Sequence, residues 1–152
     1  MFHRTPHPKD LWTPWGELWN GNLALADAII APDFVAHFVP MTPGTPEVQG
    51  PEGLKGMIGT LRAGFAQATF TTEVGPLAED QLVAGRWRFH GVYQGGIPGS
   101  SADAVGKSVA FAGIDIFRVT NGKIVEYWLC AETQYLLQQI GVMMERTDNK
   151  AL

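Results

Sequence analysis

Residues 109–132 read VAFAGIDIFRVTNGKIVEYWLCAE, two apolar runs hinged on Asn121-Gly122. Branched and aromatic residues fill both arms, and Asn-Gly suits the two positive-φ positions of a type I′ turn. The stretch therefore predicts a hairpin with strands over 109–119 and 124–131. With Asn121 and Gly122 as the loop, Thr120 stands opposite Lys123. A regular ladder then sets Asp115 opposite Trp128, Gly113 opposite Cys130 and Phe111 opposite Glu132. One face gathers these six residues, and the other gathers Ala112, Ile114, Ile116, Tyr127, Leu129 and Ala131. Both faces are mostly apolar, so both need cover: helices on one side and a second copy of the chain on the other.

Upstream of the hairpin, residues 81–93 alternate with period two. Val83, Trp87, Phe89 and Tyr93 point one way and Arg86, Arg88 and His90 the other. A shorter strand is expected over 69–74, with a turn at Glu79-Asp80, and the Gly/Pro/Ser-rich stretch 95–107 reads as a long loop. Before the strands the period is helical. Pro51 and Glu52 open a helix whose buried stripe is Leu54, Met57, Ile58, Leu61 and Phe65. Residues 11–30 predict two short helices. Leu11, Trp15, Leu18 and Trp19 form the first stripe, which serves as core or as pocket wall, and Asn22 caps the restart after Gly21. Pro32-Asp33 ends that element and leads to Phe34, Val35, Ala36 and His37, before a proline-rich loop over 40–50. A closing helix is expected over 133–144. Helices, then a meander of strands, then a helix define an α+β fold, an antiparallel sheet curved around helices on one face.

The chain of 152 residues fits one domain, 1–152, with 1–10 expected as a flexible tail. A formal charge of -4 without a basic stripe argues against nucleic acid as a partner. No apolar run is long enough to span a bilayer, so no membrane partner is expected. Cys130 has no second cysteine to pair with, which suits a reducing, cytoplasmic location. Four scattered histidines offer no metal-ligand spacing. Gly106-Lys107-Ser108 fails as a phosphate loop, because six residues separate Gly99 from Gly106 and a strand follows. No cofactor is implied.

Two carboxylates remain on an aromatic face, Asp115 and Glu132. A carboxyl group among Phe and Trp side chains is poorly solvated as an anion, so its pKa rises toward the range useful for moving protons. For each a plainer reading stays open. Asp115 is also placed to pair with an arginine of a neighbouring strand, and Glu132 to be a solvated acid in a helix's first turn. His37 is open between a polar contact at a pocket mouth and a packing histidine. Nothing basic adjoins Cys130 in sequence, which favours a pocket-lining thiol over a nucleophile.

The run Gly113-Ile114-Asp115-Ile116-Phe117-Arg118-Val119 through Asn121-Gly122 to Tyr127-Trp128, with Leu136 to Gly141 and Pro32 to His37, resembles the SnoaL-like polyketide cyclases. These belong to the nuclear transport factor two-like superfamily of cone-shaped α+β folds. The resemblance implies an internal apolar pocket and a cofactor-free acid–base enzyme on a hydrophobic carbonyl compound, closing a ring by intramolecular aldol reaction or shifting a double bond. It puts Glu132 at the position of the family's catalytic aspartate and Tyr93 at that of its histidine, with His37 as a third catalytic candidate. Asp115, Trp15, Trp19, Phe34 and Phe65 are expected against the substrate. So are Trp87, Phe89, Phe111, Trp128 and Cys130. The resemblance also implies a homodimer. Two alternatives are a pocket that binds without catalysis and an epoxide-hydrolase-like relative. The latter would need an aspartate beside Arg86 or Arg88 on the adjacent strand.

Overall fold

A computed structural model describes residues 6–41 and 43–143. Residues 1–5 of the expected tail and Met144 of the expected last helix lie outside these. Residues 8–10, also expected in the tail, form a 3₁₀ turn with Leu11, and Pro8 is buried. The main elements are α1 (Trp12–Trp19), α2 (Ala26–Ile29), β1 (Ile30–His37), α3 (Gly50–Ala63), β2 (Phe65–Glu79), β3 (Leu82–Tyr93), β4 (Ser108–Thr120), β5 (Lys123–Ala131) and α4 (Thr133–Gln139). The strands form one open, curved sheet in the order β1-β5-β4-β3-β2. Its inner face is packed by the helices, as the α+β reading expects. Four strands pair antiparallel, but β1 runs parallel to β5.

Periodicity explains most of the elements. On α1, Trp12, Trp15, Leu18 and Trp19 are buried, and on α3 the buried pair Leu54 and Ile58 is one turn apart. On β3, Val83, Trp87, Phe89 and Tyr93 face inward, while Arg86, Arg88 and His90 alternate outward. Boundaries shift where one residue type serves two periods. Ile30 opens β1 instead of closing a helix, and Phe65 opens β2 instead of closing α3.

The hairpin turn forms as expected, with Asn121 at φ 51° and Gly122 at φ 76°. The ladder beyond it does not stay regular. Val119 pairs with Ile124, but the next pair is Arg118 with Glu126, so Val125 is an extra residue on β5. Every later pair is displaced by one: Phe117 faces Tyr127, Asp115 faces Leu129 and Gly113 faces Ala131. This corrects the expected register. Tyr127, Leu129 and Ala131 share the inner face with Asp115, and Trp128 and Cys130 lie outside. The reason is visible in Glu126. A regular ladder would put it opposite buried Phe117, and the bulge turns it outward, where it meets His37 and Arg118.

The core has two clusters. One joins α1, α3, β1 and the turn end of the hairpin through Trp15, Leu18, Phe34, Ile58, Phe117 and Tyr127. The other joins α4 to the far ends of β2, β3 and β4 through Phe65, Phe89, Tyr93, Phe111, Leu136 and Ile140. Between them two glycines admit tryptophan rings. Gly85 stands opposite Asp115 and Gly113 opposite Trp87. The Trp12 ring lies on Gly85 and the Trp87 ring on Gly113, so close that a Cβ at either would overlap it. Gly56, on the solvent side of α3, has open space where its Cβ would be.

Gly113→Ala is therefore expected to destabilise the fold by about 1–3 kcal/mol through displacement of Trp87. Gly56→Ala is expected to stabilise it by roughly 0.5–1 kcal/mol. Urea unfolding of both variants checks the pair, and an unaffected Gly113→Ala would contradict the position of Trp87.

Candidate functional site

An apolar cavity of about 110 Å³ opens at the seam of the two clusters. Trp19, Met57 and Leu61 wall it from the helices, and Phe70, Trp87, Phe111, Leu129 and Ala131 from the sheet. Asp115 and Tyr127 bring the polar atoms, with Thr133 at the start of α4. An engineered apolar cavity of about 150 Å³ admits benzene, and this space is of the same order, somewhat smaller. Met57 also borders a shallower groove along Phe38, Pro40 and Met41.

Asp115 is the buried charged residue of the described core, 4% exposed. Its Oδ1 accepts from the Tyr127 hydroxyl at 2.8 Å and its Oδ2 from Trp15 Nε1 at 3.0 Å. Burial raises its pKa from 3.8 to about 6, against the opposing hydrogen bonds of Trp15, Trp87 and Tyr127 that favour the anion. The donors are neutral. Arg86 and Arg88, the expected ion-pair partners, turn to the outer face and bind Glu73. Tyr127 titrates well above 10, raised by burial and by the charge of Asp115, so it stays a donor wherever Asp115 ionises. A carboxylate offers about four lone-pair positions. Two hydrogen bonds, with the Trp87 indole close by, leave room for a proton of a molecule in the cavity.

The remaining residues singled out in the sequence are placed as follows. Trp19, Trp87, Phe111 and Asp115 meet at the cavity, and Trp15 stands behind Asp115 beside a second void of about 30 Å³. Phe34, Phe65 and Phe89 are buried in the two clusters away from the cavity wall. Tyr93 is buried among the same rings, and its hydroxyl meets Ser100 Oγ at 2.7 Å and accepts from the Ile97 N–H. It anchors the loop over 95–107 and does not line the cavity. His37 lies on the outer face, stacked on Trp128, with Nε2 2.8 Å from Glu126 Oε2. Cys130 is exposed on the same side.

Glu132 is exposed at the N-cap of α4. Its Oε1 accepts from the Ala112 N–H at 2.8 Å, and its own N–H donates to the Ala112 carbonyl at 2.8 Å. It prolongs the β4–β5 ladder and is not desolvated by aromatic rings. The extra residue Val125 accounts for Glu132, Trp128 and Cys130 together, since each was placed by counting from the turn. Tyr127 is the polar residue that this counting missed. The signal available was Glu126, whose charge forbids the regular register. Among the described residues, no group of three His, Cys, Asp or Glu side chains is placed to hold a metal ion, and no helix is long and apolar enough to cross a membrane.

A curved α+β sheet closing on helices around an apolar cavity, with a carboxylate in its wall, defines a protein built to enclose a small molecule. The SnoaL-like polyketide cyclase profile matches residues 9–140, and the chain belongs to that family. IdmH of Streptomyces antibioticus, a candidate polyketide cyclase, is similar at 26% identity and TM-score 0.73, over 90% of this chain and 100% of its own. A candidate polyketide cyclase of Acidithiobacillus ferrooxidans shares the fold at 24% identity and TM-score 0.74, over 91% and 97% of the two chains. So does AclR of Streptomyces galilaeus, a candidate hydroxylase, at 20% identity and TM-score 0.74 over 93% and 100%. No protein with a curated description matches this chain.

The raised pKa of Asp115 has a thermodynamic signature. The folded state holds this proton more tightly than the unfolded chain, so its contribution to stability is complete below pH 3.8 and is lost as pH rises through about 6. Replacement by Asn removes this dependence. Wild type is expected to lose on the order of 3 kcal/mol relative to Asp115→Asn between pH 3.5 and 7, measured by denaturant unfolding across that range. A flat difference would place the carboxyl in water.

Proposed function

We propose that this family member is an acid–base enzyme acting on a hydrophobic, carbonyl-bearing small molecule, and that Asp115 carries the proton. The observation behind this reading is a buried carboxylate, surrounded by neutral donors, in the wall of an apolar cavity. With a pKa near 6 it is largely ionised at pH 7 and still basic enough to accept a proton made acidic by an adjacent carbonyl. The carboxylate takes that α-proton and the C–H pair passes into an enolate. The enolate carbon then attacks a second carbonyl of the same molecule, forming the ring bond, and Asp115 returns the proton to the new alkoxide. Return of the proton to a conjugated carbon instead shifts a double bond. Either course regenerates the carboxylate and runs on side-chain chemistry without a cofactor. The epoxide-hydrolase-like alternative loses support, because Arg86 and Arg88 face away from Asp115. A pocket that binds without catalysis is separated by the test below.

The same reading takes the chain as a single cytoplasmic domain, in keeping with the exposed thiol of Cys130, and as a homodimer. Support for the dimer comes from the outer sheet face, where Ile114 and Ile116 are 44% and 38% exposed beside Trp128. Light scattering is expected to give twice the chain mass of 16.6 kDa, with Ile116→Glu shifting it to the monomer. A monomeric wild type would remove the dimer.

The chemistry is checked by following α-proton exchange into deuterated water for a panel of cyclic ketones and 1,3-diketones. Asp115→Asn is expected to lower enzyme-driven exchange by about 10²–10⁴-fold while the same compounds still bind. In wild type the rate should rise with pH through about 6. Tyr127→Phe, which withdraws a donor from the anion, should move that rise to higher pH. Equal exchange in wild type and Asp115→Asn would leave a binding pocket without catalysis.

A further inference from the structure

Enolate formation needs a donor for the oxygen that gains charge, and the catalytic candidates Tyr93 and His37 are both held elsewhere. A residue of the cavity wall carries another. Trp19 is 6% exposed and walls both the larger cavity and the smaller void beside Asp115. Its Nε1–H is the buried side-chain polar atom that finds no partner among the described residues. Trp12 donates its N–H to Thr72 and Trp15 to Asp115, and the Trp87 indole stands near the same carboxylate. Around Trp19 the neighbours are rings, with Trp15 and Phe70 packed edge-on at 5.8 and 5.6 Å and Tyr127 tilted at 6.2 Å. Aromatic faces satisfy an N–H poorly, and a desolvated donor without an acceptor is costly to keep.

We propose that Trp19 is the substrate's oxygen anchor: its indole N–H donates to the carbonyl oxygen of a compact ring ketone seated in the cavity beside Asp115. This rests on the reading of the cavity as the substrate site, and it adds a specificity. A site that leaves a buried donor unpaired when empty discriminates strongly against ring compounds of the same shape without an acceptor. It selects one small ring bearing a carbonyl, with any extension of the molecule leaving over Met57 toward the groove at Phe38 and Met41. Held at the oxygen by Trp19, the ring brings its α-hydrogens to the wall that carries Asp115. The Trp19 N–H then strengthens its bond as charge develops on that oxygen.

The test uses the full chain with indole ¹⁵N label and two probes of nearly equal shape, cyclohexanone and methylenecyclohexane. The Trp19 indole peak is identified by its absence in Trp19→Phe, or, should that variant not fold, by through-space contacts of its proton to the Phe70 and Tyr127 rings. Cyclohexanone is expected to move this proton downfield while methylenecyclohexane leaves it in place. Trp19→Phe should bind the ketone about tenfold more weakly and the alkene unchanged. If both probes move cavity resonances but the Trp19 peak responds to neither or to both alike, the anchor is overturned and the role of Asp115 stands. If neither probe perturbs any cavity residue, the cavity is not the binding site, and both readings fall together.

Discussion

The buried carboxylate of Asp115 is the constraint around which the fold is organised. Taking a carboxylate out of water costs several kcal/mol even after relaxation, and only well-placed donors offset it. Here the donors come from α1 and β5, elements far apart in sequence. Apolar packing alone would let a short helix slide or rotate on a curved sheet at little cost. A hydrogen bond from Trp15 to the sheet floor does not, because it is lost within a displacement of about an ångström. The helix is thereby keyed to the sheet in rotation as well as depth. The glycines follow from the same need: indole rings lie flat against the sheet around Asp115 only where Gly85 and Gly113 clear the backbone. Val125 follows as well, since without the extra residue the phenol of Tyr127 would point to the outer face.

The carboxylate also explains why the site is dry on one side and polar on the other. Behind it lie indole N–H groups and a void large enough for one water molecule, and in front lies the larger apolar cavity. On the reading proposed above, a proton exchanged in front would be handled by a group whose charge is steadied from behind. The arrangement raises the pKa of Asp115 to about 6 with neutral donors around it, where the field of a cation would lower the pKa and weaken it as a base.

How much of this can be read in the chain depends on whether local pattern or accumulated register decides it. The hairpin is local: Asn121-Gly122 between apolar runs dictates the turn and the pairing of Thr120 with Lys123. The alternation of β3 is local too, which is why its inward tryptophan and outward arginines are legible. The lining of β5 is not local. It depends on a parity carried from the turn, and one extra residue inverts it, exchanging Trp128 and Cys130 for Tyr127 and Leu129. Glu126 held the clue, as a charge that a regular ladder would bury against Phe117. Glu132 and Tyr93 illustrate a second limit. Each occupies a position that resemblance to the family marks as chemical, yet side-chain direction is set by neighbours that resemblance does not specify. Tyr93 is drawn to the loop by Ser100 and Ile97, and Glu132 to the strand by Ala112. Asp115 is legible as a carboxylate on an aromatic face, but its partners are not, because Trp15 lies a hundred positions away.

The cavity lies between two clusters that Leu61, Phe70 and Leu129 bridge at its edge. Within a filled core a change of even one methylene strains its surroundings, but at a boundary the free volume already exists. Met57, Leu61, Leu129 and Ala131 line the space and are only partly buried, packed against the clusters from outside their fully buried residues. Exchanging them alters the room available to a guest while the load-carrying contacts, and the proton-bearing wall, stay as they are. In this architecture part of the room for a guest is set by residues outside the fully buried core, which leaves the scaffold some freedom to drift toward new molecules without first becoming fragile.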